Sequence, residues 1–195
     1  MQKTISTLII TLSLSLLVNA QNNTKDDTKV IHSLVTNQSI INWTGSYLFK
    51  YYEHKGTVDF KKGNLITKNG NIIGGSFVID MTTISNEEYR LDNGNGPIGH
   101  LKNSDFFDVA IYPEAKLELT KVTYYSNTNE HRLEGNLIIK EISKPIMIKA
   151  MVDDVAKTIK TKFKIDRRDW GINYESKFKD SAISDAIAFD ILLQF

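Results

Sequence analysis

Apolar residues recur at every second position in run after run of this chain, a period that suits half-buried β-strands and not helices. Across Lys157–Ile165, the residues Ile159, Phe163 and Ile165 alternate with Thr158, Lys160, Lys162 and Lys164. Leu133, Leu137 and Ile139 stand against Glu134, Asn136 and Lys140, and Leu117 and Leu119 against Lys116, Glu118 and Thr120. Ile146, Ile148, Ala150 and Val152 share one face, as do Ile187, Phe189, Ile191, Leu193 and Phe195. Ile40–Thr44, Thr57–Phe60, Asn64–Thr67 and Ile72–Asp80 supply four more strands.

Turn signals separate these runs at Lys62-Gly63, Asn69-Gly70, Asn127–Glu130 and Glu141–Lys144. About nine short strands with hairpin-sized links predict an all-β antiparallel meander. Left open, such a sheet exposes two edges. Closing about eight strands into a barrel removes both, around an interior that side chains fill or that holds one small ligand. A two-sheet sandwich is the alternative. The one long interruption, Ser85–Glu114, contains Asn93-Gly94-Asn95-Gly96-Pro97, and its second half, Gly99–Phe107, predicts a short helix capping one end.

The N-terminus has a different character. Residues 1–20 carry Lys3 and then a run of apolar, Ser and Thr residues from Ile5 to Val18, ending Val18-Asn19-Ala20. This reads as a signal peptide cleaved after Ala20, since the run is shorter than the roughly 20 apolar residues a bilayer span needs. Residues 21–30 read as a flexible polar leader and 31–195 as the barrel. Cleavage removes one of the 24 Lys+Arg, leaving 23 against 23 Asp+Glu, so charge offers no reason to expect a nucleic-acid partner. The absence of cysteine excludes thiolate metal sites and a catalytic thiol. Asn-x-Ser/Thr triplets at Asn22, Asn37 and Asn42 are read as chance matches in a chain rich in these residues.

Four segments then line up in order: His54-Lys55-Gly56; Gly74-Gly75-Ser76-Phe77-Val78-Ile79-Asp80-Met81 with Thr83-Ile84; His100-Leu101-Lys102-Asn103-Ser104-Asp105-Phe106-Phe107-Asp108-Val109 followed by Tyr112-Pro113-Glu114-Ala115; and Ile165-Asp166-Arg167-Arg168-Asp169-Trp170-Gly171. In this the chain resembles the YceI-like family of exported polyisoprenoid-binding proteins, from about Ser39 to Phe195. A weaker match is Gly135-Asn136-Leu137-Ile138-Ile139-Lys140-Glu141, where Glu141 replaces the usual turn glycine. The resemblance implies an antiparallel eight-stranded lipocalin-like barrel with an apolar tunnel. It also implies an isoprenoid ligand such as a quinone tail or a polyprenyl phosphate, residence in the periplasm or outside the cell, and no transmembrane segment in the mature chain. A homodimer is the assembly considered, and no cofactor is expected beyond a bound lipid or quinone.

The one-faced strands nominate Leu117, Leu119, Leu137, Ile146, Ile148, Phe163, Phe189 and Ile191 as tunnel wall, with core packing as the plainer role for each. His54, His100, Phe106, Phe107 and Arg167 are the candidates for the mouth and a ligand headgroup. For His100 the plainer role is fastening a loop, and for Arg167 it is a tight corner paired with the neighbouring acids. The four histidines, at 32, 54, 100 and 131, lack ligand-like spacing, so no metal site is assigned. There is no Gly-x-Ser-x-Gly elbow and no distinguishable acid–base pair. The chain therefore reads as a binding protein and not an enzyme. The alternatives are an enzyme acting on an isoprenoid, or a packed structural barrel of the envelope or stress response.

Overall fold

A computed structural model describes residues 28–48, 52–89, 96–174 and 182–195. The expected signal peptide, most of the leader and the glycine-rich tip at 91–95 lie outside the described residues. Among those described, nine strands form in chain order: β1 (Lys29–Ser33), β2 (Ile40–Tyr47), β3 (Glu53–Lys68), β4 (Asn71–Ser85), β5 (Glu114–Tyr125), β6 (Glu130–Ile139), β7 (Ile142–Asp153), β8 (Thr158–Asp166) and β9 (Ile183–Gln194). One short helix, α1 (Pro97–Lys102), sits in the insertion between β4 and β5. The sheet order is β1-β3-β2-β9-β8-β7-β6-β5-β4, and β3 also pairs with β4. The eight strands β2 to β9 therefore close into an antiparallel barrel, as the alternation predicts.

The strand count agrees with expectation only because two errors cancel. Thr57–Phe60 and Asn64–Thr67 are not two strands, and Lys62-Gly63 is not a turn. They belong to the single 16-residue β3, which accommodates its extra residue by a bulge between Phe60 and Lys62. Gly63 serves packing: a Cβ there would stand 2.7 Å from the Phe77 ring and 3.1 Å from the Leu34 side chain. The strand not foreseen is β1, which begins inside the expected leader and pairs from Lys29↔Lys68 to Ser33↔Asn64. Its side chains are exposed apart from His32, whose Nε2 lies 2.8 Å from Thr67 Oγ1. With no buried face it carries no two-residue pattern to read.

Two other boundaries move. The helix expected over Gly99–Phe107 occupies Pro97–Lys102, because proline at its first turn presets the backbone angle and lacks only an N–H the helix would leave unpaired. Turns follow through Phe107. The β6–β7 hairpin turns at Lys140-Glu141, one residue ahead of the expected start, with pairing up to Ile139↔Ile142. Both turn residues are left-handed, at φ 49° and 60°. Side chains there cost about 1–2 kcal/mol per residue.

The wall is not hydrogen-bonded all the way round. β8 follows β9 as far as Asp166↔Ala186, but β7 and β8 pair only between Ala150–Asp153 and Thr158–Thr161. Toward the β6–β7 hairpin the two strands part. The chain leaving β8 closes this seam: a 3-10 turn, Arg167–Trp170, is followed by Gly171 at φ 70° and Ile172, which is 1% exposed. Trp170 is buried as well, and its indole Nε1 donates to the Leu137 carbonyl of β6 at 3.1 Å.

Candidate binding tunnel

The alternation that closes the barrel aims one side chain in two at its axis. These side chains do not fill it. They surround a cavity of about 420 Å³ to which every barrel strand contributes. Seven of the eight residues nominated from sequence line it: Leu117, Leu119, Leu137, Ile148, Phe163, Phe189 and Ile191. Phe163 and Phe189 are cross-strand partners with ring centroids 5.3 Å apart. Ile146 is the exception. It lies on the stretch of β7 that has left β8, packs half-buried against the core and does not border the cavity. Alternation reports which face a residue takes, and cannot report that the wall splits there.

Polarity is arranged by position along the bore. Lower in the bore, opposite Ile191 of β9, Thr161 is the polar exception in the wall, and its hydroxyl is turned to backbone, donating to the Lys149 carbonyl at 2.7 Å. The other polar lining residues, Ser46, Tyr47, His54, His100, Tyr174 and Ser184, belong to one end. Here β2 and β3 meet the insertion and the start of β9. At the opposite end Leu34 and Phe195 pack into the core outside the cavity lining and close the floor.

The nominated mouth residues separate into two groups. His54 lines the cavity at the rim, with Nε2 3.0 Å from the Tyr47 hydroxyl and its ring edge-on to Tyr52 at 5.1 Å. Tyr52 in turn donates to Glu88 at 2.6 Å, joining the β2–β3 rim to the start of the insertion. His100, on α1, also reaches the lining; its Nδ1 stands 3.7 Å from Asp105 and its ring 6.1 Å from Tyr174. Phe106 and Phe107 line the cavity as well, but they are buried, with their rings edge-on at 5.1 Å, and they seat the insertion over the barrel end, where Lys140 Nζ donates to the Phe106 carbonyl at 3.0 Å.

Arg167 is a correction. Its guanidinium is absent from the cavity lining and engaged elsewhere. It is 3% exposed and donates to the carbonyls of Ile172 and Tyr174 at 2.7 and 2.8 Å and to Asp185 at 2.7 Å, with Phe106 beneath it at 5.6 Å. Arg168 takes the outer acids. Its side-chain and backbone hydrogen bonds to Asp166 hold that carboxyl down at about 2. The Asp-Arg-Arg-Asp turn is therefore a fastening. No group of three or more His, Cys, Asp or Glu that could hold a metal occurs among the described residues.

The sequence reading missed Trp43, Phe60, Phe77, Tyr47 and Tyr174 as lining. The first and fourth had a signal: Ile41, Trp43, Gly45 and Tyr47 continue one face of β2. Phe77 stood inside a quoted motif, flanked by the glycine that makes room for it.

Burial lowers the His54 pKa from its ordinary value, opposed by Glu88, and burial lowers His131 likewise, opposed by Asp154. A histidine held neutral by the fold protonates more readily when unfolded, so its stabilising effect is whole above the unfolded pKa and lost as pH falls. We expect the melting temperature to drop between about pH 7 and pH 5. The pair His54→Gln and His131→Gln is expected to flatten that slope. Lowered carboxylates such as Glu53 and Glu114 act at lower pH. An unchanged slope in the double variant refutes the assignment.

A family model described as a YceI-like domain matches residues 32–195. Among solved structures the chain is similar to BcnA of Burkholderia cenocepacia, with 14% identity and a TM-score of 0.66 over 80% of this chain and 96% of that one. It is also similar to the YceI protein of Campylobacter jejuni, with 16% identity and a TM-score of 0.49 over 97% and 91%. No curated protein matches. The BcnA likeness shows a shared fold. No helix among the described residues is long and apolar enough to cross a membrane.

Proposed function

The chain belongs to the YceI-like family, and from that premise we propose that its bore takes up the apolar chain of an isoprenoid, such as a quinone tail or a polyprenyl phosphate. In this reading the exported protein carries or sequesters the lipid in the periplasm or outside the cell, and is not an enzyme. The carrying observation is the one-ended polarity of a hollow axis: an apolar wall below, in which the Thr161 hydroxyl is turned to backbone, and the other hydroxyls and the imidazoles at the rim. An amphiphile fits that arrangement one way round, tail down and head at the rim.

The energetics favour such a role. Each methylene taken out of water contributes about 0.8 kcal/mol, so ten contribute roughly 8 kcal/mol gross, before ordering and association costs. A bilayer offers nearly the same. A carrier therefore works close to break-even with the membrane, which lets cargo be both loaded and released. A bore this apolar and empty of its own side chains also disfavours the packed-barrel alternative.

The test is extraction of the protein purified from its native host, together with uptake of quinone or polyprenyl phosphate from micelles. We expect one apolar molecule per barrel, seen by native mass spectrometry. Protein that is repeatedly empty and takes up neither lipid overturns the proposal.

A further inference from the structure

We infer that the tunnel measures its cargo, accepting about three to four isoprene units, with Phe77 above the floor setting the limit. This rests on the isoprenoid reading and adds a length to it. The first support is volume. A cavity of about 150 Å³ holds one benzene, six carbons, so on the same scale the 420 Å³ bore accommodates on the order of fifteen carbons. The second is length. Lining residues on β9 run from Ile183 to Leu193, about 33 Å of strand or roughly 25 Å along a tilted barrel axis. That much length in so small a volume is a bore one chain wide, not a chamber in which a longer chain could fold back.

The third support is the floor, which the backbone holds in place. Leu34 N donates to the Gly63 carbonyl at 2.9 Å, Val35 N to the Gln194 carbonyl at 2.8 Å, and Phe195 N to the Lys157 carbonyl at 3.0 Å. Phe77 lies over it, with its ring 6.2 Å from Phe60 and 6.4 Å from Phe195. Gly63 and Gly75 leave that ring its space: a Cβ on either would come within 2.7 and 3.4 Å of it. Among the described residues the end opposite the polar rim is thus closed, and a longer tail has to emerge through the mouth.

The experiment partitions prenyl alcohols of two, three, four and nine isoprene units between the protein and phosphatidylcholine vesicles. A unit inside the bore is near break-even with the bilayer, whereas each protruding unit loses it. Partition toward the protein is expected to hold up to three or four units and fall at least about tenfold by nine. Phe77→Ala adds the ring's space to the bore and is expected to move the cutoff up by about one unit. Leu34→Ala opens the same floor from beneath and serves if the first variant does not fold. Equal partition of the four- and nine-unit alcohols, or a cutoff that neither folded variant moves, overturns the inference while leaving isoprenoid binding intact. Binding of none of the alcohols, with quinone and polyprenyl phosphate also refused, overturns both.

Discussion

Replacing Arg167 by alanine is expected to cost the fold about 3–5 kcal/mol, read as a large fall in the urea midpoint. The size follows from what is left behind. The guanidinium satisfies the carbonyls of Ile172 and Tyr174 together with one oxygen of Asp185, and its removal leaves two backbone acceptors without their donor where water has little access. Asp185 is partly exposed and still holds Arg168 at 3.2 Å, so its share of the loss is the smaller one. Arg167→Lys should recover little, because a single ammonium cannot span three acceptors set by a planar fork. A headgroup-binding arginine would behave in the opposite way, leaving the urea midpoint unmoved and weakening only uptake of a phosphorylated ligand. An alanine variant with parental stability would return Arg167 to the mouth and sink this assignment.

That arginine also shows where reading the sequence stops. Alternation finds the barrel because strands with one wet and one dry face repeat the same two-residue rule, which the barrel strands from β5 onward follow, whereas β4 buries adjacent pairs such as Phe77 and Val78. It finds seven wall residues for the same reason, since inward-facing and tunnel-lining differ only where the axis is filled or the wall parts. Ile146 lies at such a parting, and nothing in its neighbours announces that β8 has turned away. Gly63 misleads in another manner: glycine beside lysine reads as a turn, whereas its use is to spare the Phe77 ring a collision with a strand sixteen residues long. β1 was illegible because its side chains are mostly exposed. Arg167 and Arg168 are adjacent and chemically alike, yet one is buried and the other lies in solvent. Only the path of the chain after Asp166 separates them.

Trp170→Ala is expected to be the second severe substitution, costing about 3–5 kcal/mol as large-to-alanine changes in a core do. The indole is 3% exposed and sits where β7 and β8 have ceased to pair, so neighbouring strands cannot simply close over the space. The loss is in part polar. Without Nε1 the Leu137 carbonyl gives up its 3.1 Å hydrogen bond, beside a residue whose side chain lines the bore. Trp170→Phe separates the two contributions: it restores most of the volume but not the donor, and should cost about 1–3 kcal/mol, the range for a buried acceptor left bare. If the seam also retains cargo, lipid preloaded into the folded alanine variant will pass to acceptor vesicles faster than from the parent, with Trp170→Phe close to the parent. Equal stability of parent and alanine variant would mean that hydrogen-bonded strands alone hold this wall together, against the unpaired stretch of β7.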